Sequence, residues 1–125
     1  MKQMRRLTLY FAILLGLVDA SGAQLERSLV FSAGRDRSGK HAYTNFREPV
    51  VVRTKSGQLV VGAHAGNRLG WPERSGQDLV VRMSSDNGRC WRAVVVAAQH
   101  GNFSCQCHGL VYDAEKNRIL FLYTT

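Results

Sequence analysis

From Pro49 onward the chain alternates short β-branched apolar runs with turn-forming residues, a rhythm that suits strands. Val50-Val51-Val52, Leu79-Val80-Val81 and Val94-Val95-Val96 are too short for buried helices and predict strands covered on both faces. Strand-like sequence is found in a short segment at Ser28–Ala33 and then at Pro49–Thr54, Gln58–Ala65, Asp78–Ser84 and Trp91–Ala97. The last four predict a single meander. Lys55-Ser56-Gly57 supplies a tight turn between the first two, and Asp86-Asn87-Gly88 between the last two, because Asn and Gly tolerate positive φ. Gly66 to Gln77 forms a longer connection. A second meander opens at Gly109–Asp113, turns at Glu115-Lys116-Asn117 and continues through Arg118–Thr125. No helical period survives beyond the N-terminal apolar stretch, so the expected class is all-β. Ile119 to Thr125 reads as an uncapped apolar strand, so a truncated chain is expected. Its exposed faces and edges would fold poorly alone.

The N-terminus changes this picture by subtraction. Lys2, Arg5 and Arg6 precede an apolar run from Leu7 to Val18, and Ala20, Ser21, Gly22 and Ala23 follow it. This order predicts a signal peptide over 1–23, leaving 24–125 as the mature segment. The apolar run is shorter than the about 20 residues a membrane helix needs, so no stable membrane span is expected after cleavage. The destination is then secreted, periplasmic or extracellular.

Charge and cysteines narrow the chemistry. The net charge is +8, but the basic residues are scattered from Arg27 to Arg118 instead of forming a stripe, which argues against nucleic acid. A positive field suits an anionic ligand. Cys90, Cys105 and Cys107 would reach a compartment that permits disulfides, and their odd number leaves the pairing open. Cys105-Gln106-Cys107-His108 lacks the spacing and the second ligand pair of a zinc site. Neither a metal nor a cofactor is expected. Asn102-Phe103-Ser104 is a glycosylation acceptor sequence in a eukaryotic secretory route. Gly34 to His41 nearly reproduces a phosphate-binding loop, but His41 stands where a hydroxyl is needed and extended sequence follows where a helix should begin. No nucleotide is expected. His64, His100 and His108 have no triad or metal spacing.

Two stretches remain. Ser84-Ser85-Asp86-Asn87-Gly88-Arg89-Cys90-Trp91 matches the Asp-box pattern Ser-x-Asp-x-Gly-x-Thr-Trp, except that Cys90 replaces Thr. Phe46-Arg47-Glu48-Pro49 precedes it and resembles the Phe/Tyr-Arg-Ile-Pro motif, with Glu48 in place of Ile. In this order and spacing the pair resembles the opening of a sialidase. The resemblance implies a six-bladed β-propeller, of which this chain would supply about the first one and a half blades. The Asp-box residues Ser84, Asp86, Gly88 and Trp91 are then structural: Ser84 and Asp86 accept amide hydrogen bonds, Gly88 takes a conformation others resist, and Trp91 packs beneath the turn.

The resemblance also implies a site. Arg47 becomes one member of an arginine triad that grips the carboxylate of a sialic acid, which a planar guanidinium matches with paired donors. Arg68 follows the second strand, where the family has another arginine at the substrate's edge. The family spacing back from Ser84 lands on Glu73 as the acid/base residue, where sialidases carry Asp, and Asp78 is its rival. The family's tyrosine nucleophile, its glutamate and the other triad arginines lie further downstream. Tyr43, Tyr112 and Tyr123 match none of these. The expected function is the N-terminal portion of a secreted exo-α-sialidase, a retaining glycoside hydrolase acting on terminal sialic acids of glycoconjugates, with this portion inactive by itself. The alternative is a non-catalytic Asp-box propeller that binds glycan or protein. A propeller glycosidase of another substrate class fits less well, because it would lack the Arg47 motif.

Overall fold

The computed structural model describes residues 26–68, 76–101 and 103–125, Asn67 and Arg68 by backbone alone. Residues 1–23, expected to be a signal peptide, Glu73 and Asn102 lie outside these residues. The elements are β1 (Arg37–Ser38), β2 (His41–Arg53), β3 (Leu59–Arg68), β4 (Asp78–Ser84), β5 (Val95–Ala98), β6 (Gln106–Asp113) and β7 (Arg118–Thr124). The first five form an antiparallel sheet in chain order, and β6 pairs with β7 as a separate antiparallel hairpin. The described residues are thus all-β, without a helix long and apolar enough to cross a membrane.

β2 begins eight positions before the expected strand start at Pro49. Polar Thr44, Asn45 and Arg47 hide its first half from a hydrophobicity pattern. That half is held instead by pairing to the far end of β3, with Tyr43 opposite Arg68 and Asn45 opposite Gly66. Gly34 to His41 turns the chain into this strand through a hairpin that pairs Ser38 with His41, its turn carrying Gly39 at φ 56°. β5 starts later than Trp91, because Trp91 to Val94 is spent on leaving the turn, where the Arg92 amide bonds the Met83 carbonyl at 2.9 Å. Ser28–Ala33 contains no strand. Arg82 of β4 pins that segment instead: its guanidinium donates to the Val30 and Arg92 carbonyls and pairs with Asp36, which in turn accepts the Ser32 amide.

Two apolar layers sit on the sheet. One contains Tyr43, Ala63, Ala65 and Val80, with Phe31, Phe46, Val94 and Val96 against them. The other contains Leu79, Cys105 and Cys107, with Val50, Ala98 and Phe121, and it glues the β6–β7 hairpin to the sheet. Gly62 marks the closest approach, since a Cβ there would meet Phe121 Cζ at 2.7 Å and Leu110 Cδ1 at 3.2 Å. Coverage on both faces holds for Leu79 and Val80, which are fully buried. It fails for the other two valine runs, whose middle members Val51 and Val95 face solvent at 62% and 48% exposure. β4 has one apolar layer on each face, over Val80 and over Leu79, while the runs around Val51 and Val95 are covered on one side. All three cysteines are free, Cys105 and Cys107 buried and Cys90 exposed.

Candidate functional site

The Ser84–Trp91 turn closes β4 with a set of short hydrogen bonds. The Ser84 hydroxyl donates to Asp86 Oδ1 at 2.7 Å and accepts the buried Gly88 amide at 2.8 Å. Asp86 Oδ1 also accepts the Cys90 amide at 2.9 Å. These donors, the Cys90 amide first and the Ser84 hydroxyl next, favour the charged carboxylate and lower the Asp86 pKa to about 2. Asn87 and Gly88 take positive φ of 61° and 85°. Trp91 reaches under the turn, its indole N–H donating to Ser28 Oγ at 3.1 Å, and Gly88 leaves room for its ring. The role of this arrangement is mechanical: the Ser84 hydroxyl and Asp86 Oδ1 are spent on the turn itself.

Arg47 lies away from that turn, midway along the β2–β3 ladder. Phe46 secures the strand beside it by stacking on Phe31 (centroids 4.8 Å apart) and meeting Tyr43 edge-on at 5.6 Å. Immediately after Arg47 the ladder slips. Arg47 pairs with His64 and Val50 with Gly62, so Glu48 and Pro49 together oppose Ala63. This is a β-bulge, with Glu48 at φ 49° and a proline that has no amide to lose. Bulges re-aim side chains. Here the Arg47 side chain is exposed, and among the described residues its guanidinium has no hydrogen bond or ion pair.

The Glu48 carboxylate turns toward His64, with Oε2 at 3.6 Å from Nδ1. That distance is too long for a hydrogen bond, and both ring nitrogens of this buried histidine lack a partner among the described residues. Burial lowers the His64 pKa, Glu48 works against that shift and Arg47 reinforces it. The imidazole is therefore neutral at neutral pH. Nothing in its sequence spacing signals this.

Of the other expected site residues, Arg68 ends β3 opposite Tyr43, further along the ladder that holds Arg47. Asp78 opens β4 opposite Ala65, the β3 residue next to the partner of Arg47, whereas Arg68 lies four positions beyond that partner. Glu73 falls in the sequence between β3 and β4, outside the described residues. Asp78 is 1% exposed, and its oxygens are held by the Tyr43 hydroxyl at 2.6 Å and the Gln99 amide at 3.0 Å. So buried and so bonded, it fastens β2, β4 and the segment after β5 together. Tyr43 and Arg82 are structural anchors that periodicity could not reveal, because each acts on sequence-distant partners. The buried thiols of Cys105 and Cys107 are pushed up in pKa, first by desolvation, and so disfavour the reactive thiolate. Among the described residues no set of three His, Cys, Asp or Glu side chains gathers for a metal. A shallow depression of about 420 Å³ between Lys55, Ser56, Tyr112, Ala114 and Asn117 opens at the far end of the sheet.

Comparisons close the description of the site. No family model, characterised protein or solved structure matches this chain.

Proposed function

We propose that this chain forms the opening of a sialidase-type β-propeller, about its first one and a half blades, and that the completed domain is a secreted exo-α-sialidase. The observation that carries the reading is the Arg47 guanidinium: exposed, without a partner among the described residues, and set at a bulge in the ladder that Arg68 ends. The four-strand meander with its Ser84–Trp91 turn between β4 and β5 supports the propeller part of the reading.

In this reading Arg47 binds the carboxylate of a terminal sialic acid through paired N–H donors, and Arg68 contacts the substrate at its edge. Glu73 protonates the leaving glycosidic oxygen and later activates water. Asp78, tied to Tyr43 and Gln99, acts through the frame of the site and not as the acid. The nucleophilic tyrosine with its glutamate, and the remaining arginines, belong to sequence outside this chain. The partners are sialylated glycans, reached outside the cell after removal of residues 1–23.

Turnover of a fluorogenic α-sialoside by the product of the full reading frame tests this. Arg47→Ala is expected to lose activity by about a hundredfold or more, because a bidentate charged contact of roughly 3 kcal/mol is removed. Unchanged turnover in that variant would remove Arg47 from the site.

A second reading, a non-catalytic propeller that binds glycans, draws support from Asp78, which is buried and bonded where a rival acid would need to reach substrate. Binding of sialosides without turnover by the complete protein would select it.

A further inference from the structure

His64 is the unexplained group of this fold. A buried imidazole with no hydrogen-bond partner on either nitrogen among the described residues costs free energy that packing alone does not require a histidine to incur. Its neighbours in the ladder explain what it gains. It lies directly opposite Arg47 on β2 and opposite Leu79 on β4, and its Nδ1 points to the Glu48 carboxylate. Glu48, adjacent to Arg47 in sequence, is the natural competitor for that guanidinium. The bulge and the positive φ of Glu48 carry its carboxylate to His64 instead.

We propose that His64 is a positioning residue for Arg47: it draws Glu48 aside, leaves the guanidinium open to a carboxylate ligand, and ties capture of that ligand to uptake of a proton. The inference rests on the reading of Arg47 as a carboxylate receptor. The charged groups around the imidazole set the sign of the coupling. β2 contributes Arg47 and Glu48; the apolar layer beside it contributes Leu79 and the neutral thiols of Cys105 and Cys107, with Ala98 of β5 behind them. Arg47 opposes protonation of His64 and Glu48 favours it. An anion seated on Arg47 cancels the opposing charge, so ligand and proton bind cooperatively, and the coupling is reciprocal. Protonated His64 in turn makes a full ion pair with Glu48, which removes the competitor more completely.

The test is calorimetric titration of N-acetylneuraminic acid, with its methyl ester as the probe lacking a carboxylate, between pH 5 and pH 8. The acid is expected to bind more tightly as pH falls, by up to about tenfold for each unit that the ligand raises the His64 midpoint. The ester should bind weakly at every pH. Arg47→Ala should abolish binding of the acid, while His64→Gln should retain weak binding with a flat pH profile. A His64→Gln variant that keeps the wild-type pH slope overturns the role of His64 and leaves that of Arg47 standing. An Arg47→Ala variant that binds the acid normally, or a wild type that binds neither compound, overturns the receptor reading and this inference with it. Imidazole NMR gives a second readout independent of how His64→Gln folds. The His64 midpoint should fall in Glu48→Gln and rise in Arg47→Ala, and a midpoint unmoved in both overturns the proposal.

Discussion

At the scale of single residues the molecule divides its polar groups by duty. Ser84 is buried at 1% exposure and satisfies a buried amide, so its hydroxyl has a determinable value. Ser84→Ala leaves the Gly88 N–H without an acceptor and is expected to destabilise the fold by about 1–3 kcal/mol, read from chemical denaturation. A Ser84→Thr variant that restores the hydroxyl should recover part of that loss. Asp86, bonded directly to the Ser84 hydroxyl, is half-buried and organises the Cys90 amide. Arg47 stands apart from both. Its neighbours Phe46 and Pro49 are committed to packing and to the bulge, and its own donors have no partner among the described residues.

At the scale of elements, the joint between the sheet and the β6–β7 hairpin depends on Gly62. Gly62→Ala places a Cβ within 2.7 Å of the Phe121 ring, and the ring must shift within a layer that also holds Leu79 and Cys107. Overpacking of this kind is expected to cost about 1–3 kcal/mol. The double variant Gly62→Ala with Phe121→Leu should recover part of the loss in a thermal melt. The same joint shows what a one-dimensional pattern can and cannot reveal. β3 and β4 were legible from the Leu-Val-Val run that each contains, and the turn after Ser84 was legible because Asn87 and Gly88 announce positive φ. The first half of β2 was not, since its anchor is the bond from Tyr43 to Asp78, thirty-five positions away. Trp91 read as a strand opener from its aromatic character, whereas its indole is occupied by Ser28 before β5 begins. At the candidate site Arg47 could be picked from its motif, but its partnership with Glu48 and His64 depends on a bulge that neither residue announces.

At the scale of the whole molecule, titration joins these parts. Asp86 has a folded pKa near 2 against an ordinary 3.8, so its contribution is present above about pH 4 and is lost as pH falls toward 2. His64 is also lowered, from 6.5. Unfolding lets it gain a proton it lacks when folded, so stability is lost as pH falls from about 6.5 through the folded value. Melting temperature should therefore decline toward acid in two stages, with His64→Gln flattening the upper stage and Asp86→Asn the lower. Melts followed by circular dichroism from pH 2 to pH 8 check both, and a single-stage decline unaltered by either substitution would refute the assignment. The bulge in β2 adds a constraint of another kind, on the counting of residues. Were both bulge residues drawn into the ladder, the strand would run straight back from Val50 opposite Gly62, Glu48 would face His64 and Arg47 would fall opposite Ala65, in the apolar layer of Tyr43 and Val80. The slack of one residue thus keeps the guanidinium opposite His64 and out of that layer.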